Sequence, residues 1–306
     1  MLVQGFYFMA GLVLLYFGAD FSLESAERIG KSWKMSPLLI GLFIIGFGTS
    51  LPEFFVSQLA GLHGKYEMSM GNVLGSNVAN IFLVLGVCSF WSTLGTGGKE
   101  LKPQLLFHFF ATLACAIFIF FQEISWVSLG VFSIIFVTYF IVNFKGRKGL
   151  EAVEEVFEVK NREYLLLITG FGMLYAGGEV IIYSGSNLGK VFGVSEFTIS
   201  AILVAFGTSF PELVTSLIAC RRKKDTDLII GNIIGSNIFN LCFVLGSIGI
   251  YNFKTSGNYN LEIIVLFVTS LLFMAANKFK IRLSKATGAL FILVYFGISY
   301  YWINYS

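Results

Sequence analysis

The sequence predicts an all-α polytopic membrane protein. Ten transmembrane helices form two inverted five-helix repeats, with the N- and C-termini outside. Three observations carry this. First, hydrophobic residues make up 56% of the 306-residue chain and charged residues 13%, about half the soluble norm; the mean hydropathy is +0.79. Second, ten apolar runs are long enough to cross a bilayer core, which takes about 20 residues per helix. Third, two motifs of the first half return in the second.

The spans fall in order along the chain. The first, 5–28, is long enough to require tilt and begins without a basic stretch or A-x-A cleavage site, so it is not a cleavable signal. The second, 37–61, is interrupted by GTSLPEFF at 48–55. The third, 68–92, carries GNVLGSNVAN, and 103–121 and 125–143 complete the first half. A charged connector, KGRKGLEAVEEVFEVKNRE at 145–163, is too short to form a domain. The second half repeats the plan at 164–190, 197–219, 227–252, 260–277 and 286–304, with the sixth span again long. The units are therefore 1–144, a cytoplasmic linker 145–163, and 164–306.

The basic residues test the count. With the N-terminus outside, 18 of the 21 Lys and Arg fall in inside loops, and only Lys65, Lys190 and Lys254 fall outside. A wrong number of spans would scramble this alternation.

GFGTSLPEFF (46–55) returns as AFGTSFPELV (205–214), and GNVLGSNVANIFLVLG (71–86) returns as GNIIGSNIFNLCFVLG (231–246). GADFSLESAERIGK (18–31) matches GGEVIIYSGSNLGK (177–190) weakly. An odd number of helices per half sends the second copy across in the opposite sense. Such inverted repeats characterise many secondary transporters, whose sites lie at the repeat interface near the midplane.

The repeated blocks carry the chemistry. Pro52 and Pro211 have no N–H, so the carbonyls of Gly48 and Gly207 lose their helix partners. Such backbone survives at membrane depth only inside protein or along a wet cavity. At four-residue spacing, Thr49, Glu53 and Ser57 form a polar stripe, copied as Thr208, Glu212 and Ser216. Asn72, Ser76 and Asn80 form another, copied as Asn232, Ser236 and Asn240. These stripes should face one another. The set is all oxygen: carboxylates, hydroxyls, amides and carbonyls. Calcium takes six to eight such ligands, and no His or Cys joins the stripes, against zinc, copper or iron. No Lys or Arg lies deep in these helices, so Glu53 and Glu212 call for a bound cation or a proton.

Other features read as structural. Gly71-x-x-x-Gly75 and Gly231-x-x-x-Gly235 allow close helix packing. Asn72 and Asn232 either cap broken helices or bind ions; Ser57 and Ser216 are structural hydroxyls. Asp20 and Glu179 are end-of-helix or packing acids, or flank an access path. Glu24 and Arg28 have the spacing of an ordinary ion pair. His63 and His108 have no partner nameable from sequence, and the four cysteines read as small buried apolar residues.

At GTSLPE…GNVLGSNVAN and GTSFPE…GNIIGSNIFN, over nearly the whole chain, the sequence resembles the sodium/calcium exchanger branch of the cation/calcium antiporter superfamily, prokaryotic type. The resemblance implies that Glu53 and Glu212 are calcium ligands. It implies that Thr49, Ser50, Thr208 and Ser209, with the carbonyls of Gly46 and Ala205, complete the sodium and calcium sites. Ser76, Asn80, Ser236 and Asn240 match the family's remaining ligand positions. Asn240 stands where potassium-dependent members and some prokaryotic ones have Asp, and animal sodium/calcium exchangers have Asn, which puts a potassium-coupled mode in doubt.

The expected function is sodium/calcium antiport by alternating access, with three sodium ions per calcium in the family's usual stoichiometry and therefore electrogenic. A proton/calcium antiporter and a non-transporting membrane scaffold are the alternatives. No nucleophile–base set, phosphate loop or soluble domain points to an enzyme. No cofactor, nucleic acid or required protein partner is implied. The substrates are Ca²⁺ and Na⁺, the surroundings a lipid bilayer, and the location the cell membrane.

Overall fold

A computed structural model describes residues 2–32, 50–98, 101–145, 161–221 and 226–305. The described chain is helical apart from two short ribbons. The helices are α1 (Leu2–Ser32), α2 (Leu51–Leu62), α3 (Tyr66–Trp91), α4 (Leu101–Phe120), α5 (Trp126–Lys145) and α6 (Asn161–Phe192). They continue with α7 (Glu196–Thr208), α8 (Phe210–Arg221), α9 (Thr226–Phe239, prolonged by Asn240–Leu245 and Gly246–Ile248), α10 (Asn260–Phe279) and α11 (Lys285–Tyr305). Among the described residues, seven helices are long and apolar enough to cross a membrane.

Burial sorts them into layers. The apolar stretches of α3 and α9 are 83% and 78% buried inside the protein, against 28% for those of α1 and α11. The repeated GSN motifs therefore lie on the two central helices. The outer helices present large apolar side chains outward, among them Phe6, Phe120, Ile134, Ile168, Leu272 and Phe296.

Helices α1 and α6 form an antiparallel pair zipped by glycine. A Cβ on Gly11 would meet the Gly177 carbonyl at 3.2 Å, and one on Gly18 would meet the Gly170 carbonyl at 2.9 Å. The absence of side chains lets the backbones approach closely. Arg28 closes one end of the pair, with Glu24 at 2.6 Å and Glu163 at 3.3 Å. The expected Glu24–Arg28 pair is thus present, and it extends to α6. Both helices exceed their expected spans, with 31 and 32 residues. At 1.5 Å per residue they run about 45 Å, well beyond an apolar core of about 30 Å. Helix α6 also absorbs Asn161 to Glu163 from the expected linker, whose residues 146–160 lie outside the described residues.

Each ribbon fastens the ends of the two halves. Strand β1 (Leu94–Gly95) pairs antiparallel with β4 (Arg282–Leu283), and β2 (Glu123–Ile124) with β3 (Phe253–Lys254). Leu94 faces Leu283 and Phe253 faces Ile124. At the repeat offset of 159 residues, these two pairs are copies of one another. The β2–β3 end also holds the start of α3, where Ser256 donates to Glu67 at 2.7 Å.

The histidines acquire partners. His63 Nε2 lies 2.9 Å from Glu179 Oε2, which makes Glu179 a hydrogen-bond partner of the α2–α3 turn. His108 Nδ1 lies 2.8 Å from Ser270 Oγ between α4 and α10.

Candidate functional site

The site is built where the repeated motifs meet. The seventh span is interrupted beside Pro211, the proline expected to break it. Helix α7 ends at Thr208, Ser209 leaves the helical region at φ −83°, ψ 5°, and α8 starts at Phe210. The break falls two residues before Pro211, where the missing N–H is tolerated in a first helical turn. Pro52 occupies the same place in the first turn of α2, after Ser50 at φ −98°, ψ 10°. Each acid, Glu53 and Glu212, therefore sits in a first turn, where the helix N-terminus favours negative charge.

Each half supplies a hydroxyl to the other half's carboxylate. Ser209 Oγ donates to Glu53 Oε1 at 3.1 Å, and Ser50 Oγ donates to Glu212 Oε1 at 3.4 Å. Both glutamates are fully buried. Thr208 Oγ1 donates to Asn72 Oδ1 at 3.4 Å, while Asn72 Nδ2 donates to the Glu53 carbonyl at 3.0 Å and to Ser57 Oγ at 2.9 Å. Asn72 thereby bridges α2, α3 and the α7 terminus, and Ser57 is tied into that structural net as expected. The Ala205 carbonyl accepts from Ser209 N–H at 3.0 Å and from Thr208 Oγ1 at 3.3 Å.

Ser50, Ser76, Asn80, Ser209, Ser236 and Asn240 are all buried, so the structure brings both central stripes inside. Asn232 departs from its copy Asn72 in being only half-buried. Gly46, Gly48 and Thr49 lie outside the described residues. The glycines of α3 do pack closely: a Cβ on Gly75 would come within 2.6 Å of Ala201 Cα, and one on Gly71 within 2.5 Å of the Phe197 carbonyl.

Four buried oxygens of the repeated motifs have no hydrogen-bond partner among the described residues: Glu53 Oε2, Ser76 Oγ, Asn80 Oδ1 and Asn240 Oδ1. No cationic side chain forms an ion pair with Glu53 among them either. Buried acceptors without donors are costly. A hard cation satisfies such a set with no further protein group.

Two features had no reading in the sequence. The central helices open into π turns at Ala79–Val84 and Asn240–Leu245, at the last asparagine of each motif, and α7 does so at Ser200–Val204 before the break. π-bulges recur at functional sites. The second feature is the middle asparagine pair, Asn77 and Asn237, whose amides lie fully buried between the halves. Their exact recurrence at an offset of 160 was the available signal.

Comparison with known proteins agrees with this geometry. The family described as sodium/calcium exchanger protein matches residues 3–145 and 163–304, one block per half. An uncharacterized membrane protein of Methanocaldococcus jannaschii is 32% identical over 96% of this chain and 97% of its own. The sodium/calcium exchanger MaX1 of Methanosarcina acetivorans is 27% identical, with 79% and 81% covered. A solved structure of the sodium-calcium exchanger NCX_Mj, soaked with Na⁺ and Sr²⁺, superposes with a TM-score of 0.67 at 31% identity, covering 97% of both chains. The matched family, MaX1 and the solved exchanger are secondary transporters rather than enzymes. This chain is an integral, multi-pass membrane protein and belongs to the sodium/calcium exchanger family of the cation/calcium antiporter superfamily.

Proposed function

We propose that this protein exchanges Na⁺ for Ca²⁺ across the cell membrane, electrogenically, through one site shared by its two halves. The observation that carries the reading is the buried oxygen set around Glu53 and Glu212, with four partnerless acceptors among the described residues. The ligands are the two carboxylates, Ser50, Ser209, Thr49, Thr208, Ser76, Asn80, Ser236 and Asn240, with the carbonyls of Gly46 and Ala205. Two carboxylates neutralise one Ca²⁺ and also attract Na⁺ into neighbouring oxygen sites. Competition for the same glutamates makes loading of one ion expel the other.

Ten spans in two inverted repeats, 1–144 and 164–306 around a cytoplasmic linker, with both termini outside, complete the reading. The matching ribbon registers and the reciprocal Ser–Glu bonds support a two-fold relation between halves. Helices α1 and α6 pack on each other along their glycines, and most of their apolar stretches are not covered by the rest of the protein. They slide as one unit over the remaining core to switch access.

The test is ⁴⁵Ca²⁺ uptake into sodium-loaded proteoliposomes, for wild type and Glu212→Gln. Uptake that needs the outward sodium gradient and vanishes in the variant supports exchange. Uptake that ignores sodium and follows a pH gradient replaces it with proton coupling, and no uptake under either gradient removes calcium as the substrate.

A further inference from the structure

We propose that Asn237 is a positioning residue that fixes the amide of Asn80 with its oxygen toward the transported cation. This orientation rests on the reading of Asn80 as a ligand, and on the polarity of a short buried chain of hydrogen bonds. Asn237 Nδ2 donates to the backbone carbonyl of Asn77 at 3.1 Å. A carbonyl can only accept, so this contact sets which end of the Asn237 amide faces it. Asn237 Oδ1 is thereby turned the other way, and Asn80 Nδ2 donates to it at 3.0 Å. With its nitrogen committed, Asn80 leaves Oδ1 as its remaining polar atom, buried and without a hydrogen-bond partner among the described residues. Reversing Asn80 would set its oxygen against that of Asn237 and turn an N–H toward the cation, so the chain of bonds excludes the wrong orientation.

The copy of this chain in the other direction is not made. Asn77, which corresponds to Asn237, turns its amide to the Val73 carbonyl of its own helix at 2.7 Å. Asn240, which corresponds to Asn80, has neither amide atom hydrogen-bonded among the described residues. The two repeat-related asparagines are therefore unequal. Asn80 is a preset oxygen donor, whereas no hydrogen bond among the described residues fixes which way the Asn240 amide faces. The π turns at Ala79–Val84 and Asn240–Leu245 carry both side chains, so the difference lies in their partners rather than in the backbone.

The test uses the full-length chain in proteoliposomes, with ⁴⁵Ca²⁺ uptake measured against Ca²⁺ concentration under an outward sodium gradient. Groups that orient a metal ligand change affinity by about 10-fold or more when removed. Asn237→Ala and the milder Asn237→Ser should raise half-saturating Ca²⁺ to that extent while the maximal rate stays near wild type. In an Asn80→Ala background neither should add a further shift. Asn77→Ala, which keeps the carbonyl that Asn237 uses, should shift half-saturation less. An additive shift in the double variant, an equal shift in Asn77→Ala, or a loss confined to maximal rate overturns the proposal. If Asn80→Ala leaves half-saturation unchanged while Glu212→Gln still abolishes exchange, Asn80 is not a ligand and the proposal fails without the exchange reading. Gel filtration and melting of each purified variant separate misplacement from misfolding, and Asn237→Ser decides if Asn237→Ala does not fold.

Discussion

Glu53 takes a hydrogen bond from Ser209, and Glu212 takes one from Ser50, so each carboxylate depends on the opposite half for its setting. Under the proposed exchange, replacing Glu53 by Gln removes the charge that the competing cations would share, and sodium-driven Ca²⁺ uptake should fall to background. Ser209→Ala keeps that charge but loses the donor. Its half-saturating Ca²⁺ should rise by about 10-fold, read in the same flux assay. Packing residues behave differently. A Cβ at Gly75 meets the Ala201 backbone at 2.6 Å, whereas one at Gly130 meets nothing within 4 Å. Gly75→Ala should therefore destabilise the protein by about 1–3 kcal/mol, and Gly130→Ala should leave the melting temperature unchanged or slightly raised. Equal melting temperatures for the two variants would contradict this packing.

At the scale of elements, α1 and α6 are the pair to watch. Gly11 and Gly18 are copied as Gly170 and Gly177, and each packs against the other's copy, so the interface is two-fold by construction. If the pair slides as a unit, a tether within it should be harmless and a tether to the core should stop exchange. Cysteines at Arg28 and Glu163, joined by a short bifunctional thiol reagent, lie within the pair. Cysteines at His63 and Glu179 join α6 to the α2–α3 turn. The first cross-link should preserve Ca²⁺ uptake and the second should abolish it. Preserved uptake in both would mean that α6 does not move relative to that turn.

For the whole molecule, the proposed exchange of three Na⁺ for one Ca²⁺ would move one net charge per cycle. A charge crossing the full field is worth about 2.3 kcal/mol per 100 mV. In sodium-loaded vesicles, an inside-positive diffusion potential should speed Ca²⁺ entry, because net positive charge then leaves down the field. An inside-negative potential should slow it. Rates that ignore the imposed potential would make the exchange electroneutral.

The sequence by itself determined the membrane class, the repeat and the polar residue types of the site. These are carried by hydropathy, by basic residues in loops and by motifs that recur at 159 and 160 residues. Each is a one-dimensional property, and apolar length, charge and identity are all local. Burial of Glu53, Glu212, Ser76, Asn80 and Asn240 followed from the same reasoning, since lipid does not solvate such groups. Tertiary structure decided the rest. Pro211 already marked the seventh span as interrupted, but the place of the break at Ser209 and the widening of the central helices into π turns answer to neighbouring helices. His63 found Glu179, and His108 found Ser270, across separations of 116 and 162 residues that no local pattern reports. The inequality of Asn80 and Asn240 is of this kind too. Their motifs are nearly identical in sequence, and only the direction in which Asn77 and Asn237 turn their amides tells them apart.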